Sequence, residues 1–280
     1  MNDLYTNIIK VSGKNIANFF QNIITNDIYK LTTQNALYSS ILTPQGKYLI
    51  DFFIIKDKDN YILECNNNQA ENLIKEFKKY DIRNDITFSL SNELKSCLIL
   101  SKDLNEDLEK KLLNTKLIND KEFIFFEDPR SKDFLVRVWA KERILLEKKI
   151  ISSTQSEIDL ERIKHTIPNS EKDMEQNKSF ILNYNFENLN ALSFKKGCFI
   201  GQENTARQKY RGTQKYILKT IKSLNGSFPK INEDIFLENE KIGTMKSSVN
   251  NYGLCMIRNE KRILNLEKIE LGKQVSFQFI

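Results

Sequence analysis

Residues 193–216 read SFKKGCFIGQENTARQKYRGTQKY. Gly197 and Gly201 bracket Cys198, an arrangement that lets a backbone bend tightly or approach a ligand closely. Gln202 and Glu203 suit the first turn of a helix that runs through Ala206 towards Tyr210. Cys198 then lies just ahead of a helix N-terminus, where the positive end of the dipole favours a thiolate. Lys195, Lys196, Arg207, Lys209 and Arg211 add positive charge around it. The same stretch admits a second reading, in which Cys198 beside Phe199 and Ile200 is a small buried hydrophobe.

Upstream of this segment, strands and helices alternate. Ser12 caps a helix through Ile16, Phe19, Phe20, Ile23 and Ile24, whose spacing gives one buried face. Two β-rich runs flank Pro44-Gln45-Gly46, which reads as a hairpin turn with Pro fixing φ and Gly free to take positive φ. A turn at Asp57 to Asn60 leads into a strand over Tyr61 to Cys65. Gln69 to Tyr80 and Leu104 to Leu113 have helical periodicity, as do Lys141 to Ile151 and Ser156 to His165. Asp85 to Leu90, Ser96 to Leu100, Phe123 to Phe126 and Phe134 to Ala140 read as strands. Without the βαβ regularity of a doubly wound sheet, the class is α+β. Residues 169–190 form a long polar loop, of the kind that often carries function. From Tyr216 onward, short β runs separated by Asn225-Gly226 and Asn250-Asn251 suggest a small all-β unit, a barrel.

Bulk properties narrow the function. The 280 residues suit one large or two to three small packed units. No apolar run is long enough to span a membrane, and the first residues lack the n-region and h-region of a signal peptide, so a cytoplasmic location and no membrane partner are expected. Cys65, Cys97, Cys198 and Cys255 form no C-x-x-C pair, and His165 is the one histidine. A self-contained zinc site is not expected, and free thiols in a reducing compartment are. The net charge of +6 permits anionic partners, tRNA among them, without any RNA-reading motif. The absence of a P-loop excludes a GTPase.

KKGCFIGQE at 195–203, continued by the Ala206-Arg207 and Tyr210-Arg211-Gly212 pairs and triplet, closely resembles the signature of the YgfZ-type folate-binding proteins, relatives of the glycine-cleavage T-protein. FFQNIITNDI at 19–28 resembles that family's N-terminal helix and T-N-D turn. LTPQGKYLIDFFII at 42–55 resembles its strand–turn–strand, and RIKHTIP at 162–168 the segment before its long loop. The resemblance covers about Val11 to Gln214. It implies two α+β units in a ring-like arrangement with a C-terminal β-barrel, around a central cavity that binds tetrahydrofolate or a derivative. It divides the chain into 1–210, with an internal boundary near 95–100, and a barrel over 211–280. It further implies an accessory protein for assembly or repair of iron–sulfur enzymes, tRNA-modifying ones included, rather than a classical turnover enzyme. Its partners are folate and iron–sulfur assembly or client proteins.

Carried over by motif, Cys198 is the residue on which activity depends, as a nucleophile or a transient cluster ligand, with Lys196, Gly197, Gly201, Gln202 and Glu203 as its setting. The alternative is a tetrahydrofolate-dependent aminomethyl or C1 transferase of the T-protein type. Departures from the T-protein pattern oppose it. Ile50-Asp51 stands where T-proteins have two adjacent acids, and Lys164-His165-Thr166 where relatives have E-A-G. Asn183 replaces the folate-contacting acid of the long loop; an amide still hydrogen-bonds a pterin, more weakly than a carboxylate. The remaining candidates carry two readings each. Asp27 either orients a ligand or caps the turn after it, the second favoured because Asx residues so often serve turns. Asp51, inside an apolar strand, is ligand-facing or paired. His165 ends a helix at the surface. Tyr210 and Arg211 line the cavity mouth or hold the barrel. The basic run Arg207, Lys209, Arg211, Lys215, Lys219 and Lys222 is a solvated face, or a landing site for carboxylates of a polyglutamyl folate tail or an acidic partner.

Overall fold

The computed structural model describes residues 6–91, 93–104, 106–120, 122–131, 133–147, 153–237, 239–266, 269–271 and 275–280. Of the sequence expectations, Asn105 of the 104–113 helix, residues 148–151 of the 141–151 helix and parts of the β runs after Tyr216 fall outside them. The chain divides into two compact units. The first comprises Met1–Pro44, Leu49–Gln155 and Glu187–Gln202; the second comprises Gln45–Tyr48, Ser156–Phe186 and Glu203–Ile280.

The first unit carries two sheets. Strand β1 (Thr6–Gly13) precedes helix α1 (Ile16–Ile23), which buries Ile16, Phe20 and Ile23 on one face. Ser12 therefore lies in a strand and does not cap α1. The cap position is Asn15, in the left-handed region and without a side-chain cap bond. The alternation of Ile9 and Val11 marks β1 as a half-buried strand, which the sequence reading did not assign. Strands β2 (Ala36–Leu42), β3 (Tyr48–Asp57) and β4 (Asn60–Asn66), helix α2 (Ala70–Lys78) and strand β5 (Ile86–Ser91) complete a sheet of order β2-β3-β4-β1-β5. Gly46 has φ 77° in the turn between β2 and β3, as the Pro-Gln-Gly sequence requires. Phe20, Leu63, Leu73 and Phe77 pack α1 and α2 on this sheet.

The second sheet of that unit has the order β6-β9-β8-β7. It uses β6 (Leu94–Leu100), helix α3 (Glu106–Asn114), β7 (Leu117–Asn119), β8 (Phe123–Glu127) and β9 (Leu135–Lys141), followed by α4 (Glu142–Glu147). Strand β7 is too short to leave a periodic signature and is not foreseen by the sequence. The two sheets share a buried ionic core. Glu64 on β4 accepts from Arg137 and Trp139 on β9. Arg137 also donates from Nε to Asp128 at 2.9 Å, and Arg130 binds Asp128 at 2.8 Å and 3.0 Å. The Arg137 guanidinium lies 3.6 Å from the centroid of the Phe53 ring on β3.

The second unit begins with α5 (Gln155–Lys164) and α6 (Ser170–Asp173) and includes α7 (Gln202–Tyr210). The long loop after Pro168 holds α6 and a 3-10 turn over Ile181–Tyr184, and is otherwise irregular. Strands β10 (Tyr216–Asn225), β11 (Asp234–Leu237), β12 (Glu240–Val249) and β13 (Tyr252–Arg258), helix α8 (Lys261–Leu264), and strands β14 (Ile269–Leu271) and β15 (Val275–Phe279) follow. They form one sheet of order β11-β12-β13-β10-β15-β14, whose edge strands β11 and β14 approach each other. It is a half-closed barrel around Ile221, Ile235, Met245, Ile257 and Phe277. Arg162 ties α5 and the loop to it. Its Nε donates to Asp159 at 2.5 Å and its Nη2 to the Ser247 hydroxyl at 3.1 Å, while Asp173 accepts from the Ser247 N–H at 2.7 Å. A buried guanidinium with this many acceptors is well compensated.

Candidate functional site

The signature segment closes the first unit and starts the second. Gly201 has φ 81°, the left-handed conformation that favours glycine, and the chain enters α7 directly after it. Gln202 closes this turn from both ends: its N–H donates to the Phe199 carbonyl at 3.1 Å, and its Oε1 accepts the Phe199 N–H at 3.3 Å. Phe199 is buried and Ile200 packs on the core beneath. Cys198, between them and Gly197, is exposed. The reading of Cys198 as a buried hydrophobe is thereby corrected. At Gly197 the backbone is not left-handed, and an added Cβ would meet nothing within 4 Å, so the tight bend belongs to Gly201 alone.

Lys196 turns the other way. It is buried, and its Nζ donates to the carbonyls of Ile24 at 2.6 Å and Asn26 at 2.7 Å. Burial pushes its ammonium down to about 7, against a smaller opposing pull from Asp27. A neutral amine still has the two N–H donors that these carbonyls need. Lys196 thus fastens the signature to the T-N-D turn. Asn26 is the hub of that turn, donating to the carbonyls of Tyr38 at 2.9 Å and Asn190 at 2.6 Å. The Thr25 hydroxyl donates to the Ala191 carbonyl at 2.7 Å. Asp27 caps the turn, accepting the Tyr29 N–H at 3.2 Å. Asn26 and Thr25 were in view in the sequence, but nothing in their spacing set them above Asp27.

The other candidates occupy separate places. Asp51 is buried on β3 and accepts the Tyr38 hydroxyl at 2.7 Å; burial first, and the Asp51 charge second, raise the Tyr38 pKa. Its neighbour Ile50 is buried and apolar. In the second unit, Asn183 lines a cavity of about 570 Å³ with Tyr184, Asn232 and Lys246. Its Oδ1 is buried without a hydrogen-bond partner. Lys246, buried at the same cavity, donates to Asn232 at 2.9 Å, and burial lowers its pKa. Arg207 and Arg211 line a second cavity of about 450 Å³. Glu203 pairs with Arg207 at 2.6 Å on the surface of α7, and Tyr210 is 71% exposed. His165 is exposed, as expected. Among the described residues no group of three or more His, Cys, Asp or Glu could hold a metal ion. No helix among them is long and apolar enough to cross a membrane.

The fold is that of the aminomethyltransferase T class. The chain superimposes on the glycine cleavage system aminomethyltransferase T from Bartonella henselae with a TM-score of 0.74, covering 98% of this chain and 82% of that one at 14% identity. In sequence the chain is similar to a mitochondrial iron-sulfur cluster assembly factor IBA57 homolog from Neurospora crassa, 28% identical over 247 residues that cover 81% of this chain and 54% of the relative. It is also similar to the tRNA-modifying protein YgfZ of Aliivibrio fischeri, 25% identical over 232 residues covering 79% and 70%. The resemblance to YgfZ-type proteins read from the signature is borne out by these relatives. The chain spans about half the length of the IBA57 relatives it matches first. No protein-family model matches it.

Proposed function

We propose that this protein is a folate-binding accessory factor that supports assembly or repair of iron–sulfur enzymes through Cys198, with its units ringed around the folate. The exposure of Cys198, in a chain whose other three cysteines are buried, is the observation that carries this reading. It presents one thiol on a turn held by Gln202 on one side and by Lys196 on the other. The names of the IBA57 and YgfZ relatives agree with it. One thiolate is a single ligand, so a cluster that docks here brings its other ligands from a partner or client protein. Cys198 then acts as a transient ligand or nucleophile, and the cluster is cargo.

The chain's residues fit a folate. The unpartnered Oδ1 of Asn183 is a buried acceptor, and the amino and ring N–H groups of a reduced pterin are the donors it lacks. Bound tetrahydrofolate would supply a one-carbon carrier. Aminomethyl transfer of the T-protein kind is disfavoured, because Ile50 leaves Asp51 without a second acid and Asp51 already accepts from Tyr38. Calorimetric titration with tetrahydrofolate tests the folate part. Saturable binding is expected, weakened about tenfold in Asn183→Leu, the equivalent of ~1.4 kcal/mol for one neutral hydrogen bond. No saturation up to about 1 mM, a binding free energy of only ~4 kcal/mol, would sink it.

A further inference from the structure

The two edges of the five-stranded sheet in the first unit differ. At one edge, β2 is buried over all but its first residue. At the other, β5 pairs with β1 alone among the described strands, and Thr87, Ser89 and Leu90 are exposed. Ile86, Phe88 and Leu90 form the row of β5 that faces α2. Ile86 is buried, and the Phe88 ring stacks on Phe77 of α2 with centroids 5.5 Å apart. Leu90 belongs to the same row, yet it is 40% exposed.

The backbone shows what this edge offers. The Lys14 N–H donates to the Asp85 carbonyl at 3.2 Å, so that carbonyl points at β1. Across the same trans peptide the Ile86 N–H points the other way, and it donates to Asp81 Oδ2 at 3.1 Å. Alternation then turns Thr87, Ser89 and Ser91 towards β1, and Phe88 and Leu90 outwards. Among the described residues, no partner meets the N–H of Phe88 or Leu90 on this side. Exposed edges are commonly guarded by a lysine, a proline or a bulge. Ile86–Ser91 has no charged residue and no proline, and its register with β1 runs without a shift.

The sequence of the edge selects its occupant. Laid antiparallel to itself about a twofold axis at Phe88, β5 sets Ile86 opposite Leu90, Thr87 opposite Ser89 and Phe88 opposite its own copy. Outward-facing groups then meet outward-facing groups, and Leu90 gains an apolar neighbour. Just past the strand ends, exposed Arg83 falls opposite Glu93, whose exposed pair with Lys141 at 3.4 Å is weak enough to be shared. Moving the axis to Ser89 would set Asp85 against Glu93, and moving it to Thr87 would set Leu90 against Asn84. One register therefore suits backbone, apolar and charged groups together.

We infer that β5 is a self-association edge, on which a second copy of this chain adds its own β5 antiparallel with the axis at Phe88, so that two sheets become one. A ladder of six residues a side is a small interface, and the dimer is reversible, with a Kd on the order of 10–100 μM.

Sedimentation equilibrium of the full chain in reductant, from about 1 to 300 μM, reads the association. Wild type is expected to pass from monomer to dimer over that range. Leu90→Pro removes an outward N–H and leaves the β1 ladder whole, so it is expected to stay monomeric while still melting cooperatively. Arg83→Glu sets two acids opposite each other and is expected to weaken association about tenfold; Arg83→Glu/Glu93→Arg is expected to recover it. Disulfide trapping with diamide in a Cys198→Ala background reads the register. Thr87→Cys and Ser89→Cys chains, each oxidised alone, should give little covalent dimer, and their equimolar mixture should give it readily, because 87 of one copy faces 89 of the other in a non-hydrogen-bonded pair. A wild type that is monomeric at every concentration overturns the inference. So does a dimer untouched by both Leu90→Pro and the charge reversal, which lies on another face, and so does covalent dimer formed as readily by either single-cysteine chain as by the mixture. Capture of a synthetic peptide of residues 84–91 by a chain that never dimerises also overturns it, marking the edge as a receptor for another protein's strand.

Discussion

The four cysteines differ in ways that a reagent can read. Cys65, Cys97 and Cys255 are buried on β4, β6 and β13, and burial pushes their thiols up, to about 12 for Cys97 and Cys255. At pH 8 such thiols are about one part in 10⁴ thiolate. Cys198 is exposed on the turn before α7. Brief treatment of the native protein with iodoacetamide at pH 8 should therefore label Cys198 alone. Cys198→Ala should take up no label until denatured, and then label at three sites. Native labelling of Cys97 or Cys255 at a comparable rate, or a refractory Cys198, would contradict this. At this scale the sequence was informative about identity and poor about partnership. The motif singled out Cys198, Lys196 and Gln202, but their physical roles depend on atoms far away in the chain. Lys196 reads as one more surface cation until the carbonyls of Ile24 and Asn26 are seen to hold it. Asn183 reads as a weakened ligand, and only the fold shows that its amide oxygen is left without a partner.

Between elements, the polar contacts joining the two sheets of the first unit matter most. Asp128, fully buried after β8, is raised by desolvation, but Arg130 and Arg137 outweigh this and hold it at about 2. Its folded pKa lies below the ~3.9 of an unfolded aspartate. Its contribution is therefore present above that value and lost as pH falls towards 2. Asp128→Asn leaves Arg137 and Arg130 buried with less compensation and should cost about 3–5 kcal/mol in urea unfolding at pH 7. The variant should also lose the part of the acid sensitivity between about pH 4 and 2 that this carboxylate carries. A midpoint equal to wild type would show the cluster to be dispensable. None of this was legible in the sequence, because Glu64 is far in the chain from Asp128 and Arg137 and each looks like an ordinary surface charge. The elements themselves were largely legible, since α1, α2 and β10 to β13 rest on local periodicity and turn residues. Strand β1 was not read from the sequence, and Ser12, at its end, reads there as the cap of the helix that follows. Strand β7, at three residues, has no period to detect.

Over the whole chain, three features point to one task. The fold is that of an aminomethyltransferase T, Ile50 beside Asp51 is buried and apolar, and the signature presents an accessible cysteine. On the function proposed above, such a scaffold supports another enzyme's chemistry, a proposal that rests on its site and not on its fold. The account accordingly separates two properties, folate binding by the frame and iron–sulfur support by Cys198. The most direct test is restoration of iron–sulfur enzyme activity in cells lacking the endogenous counterpart, by wild type and by Cys198→Ala expressed at equal levels, alongside tetrahydrofolate titration of both purified proteins. The account predicts that Cys198→Ala binds tetrahydrofolate as wild type does and restores no activity; full restoration by Cys198→Ala would contradict it.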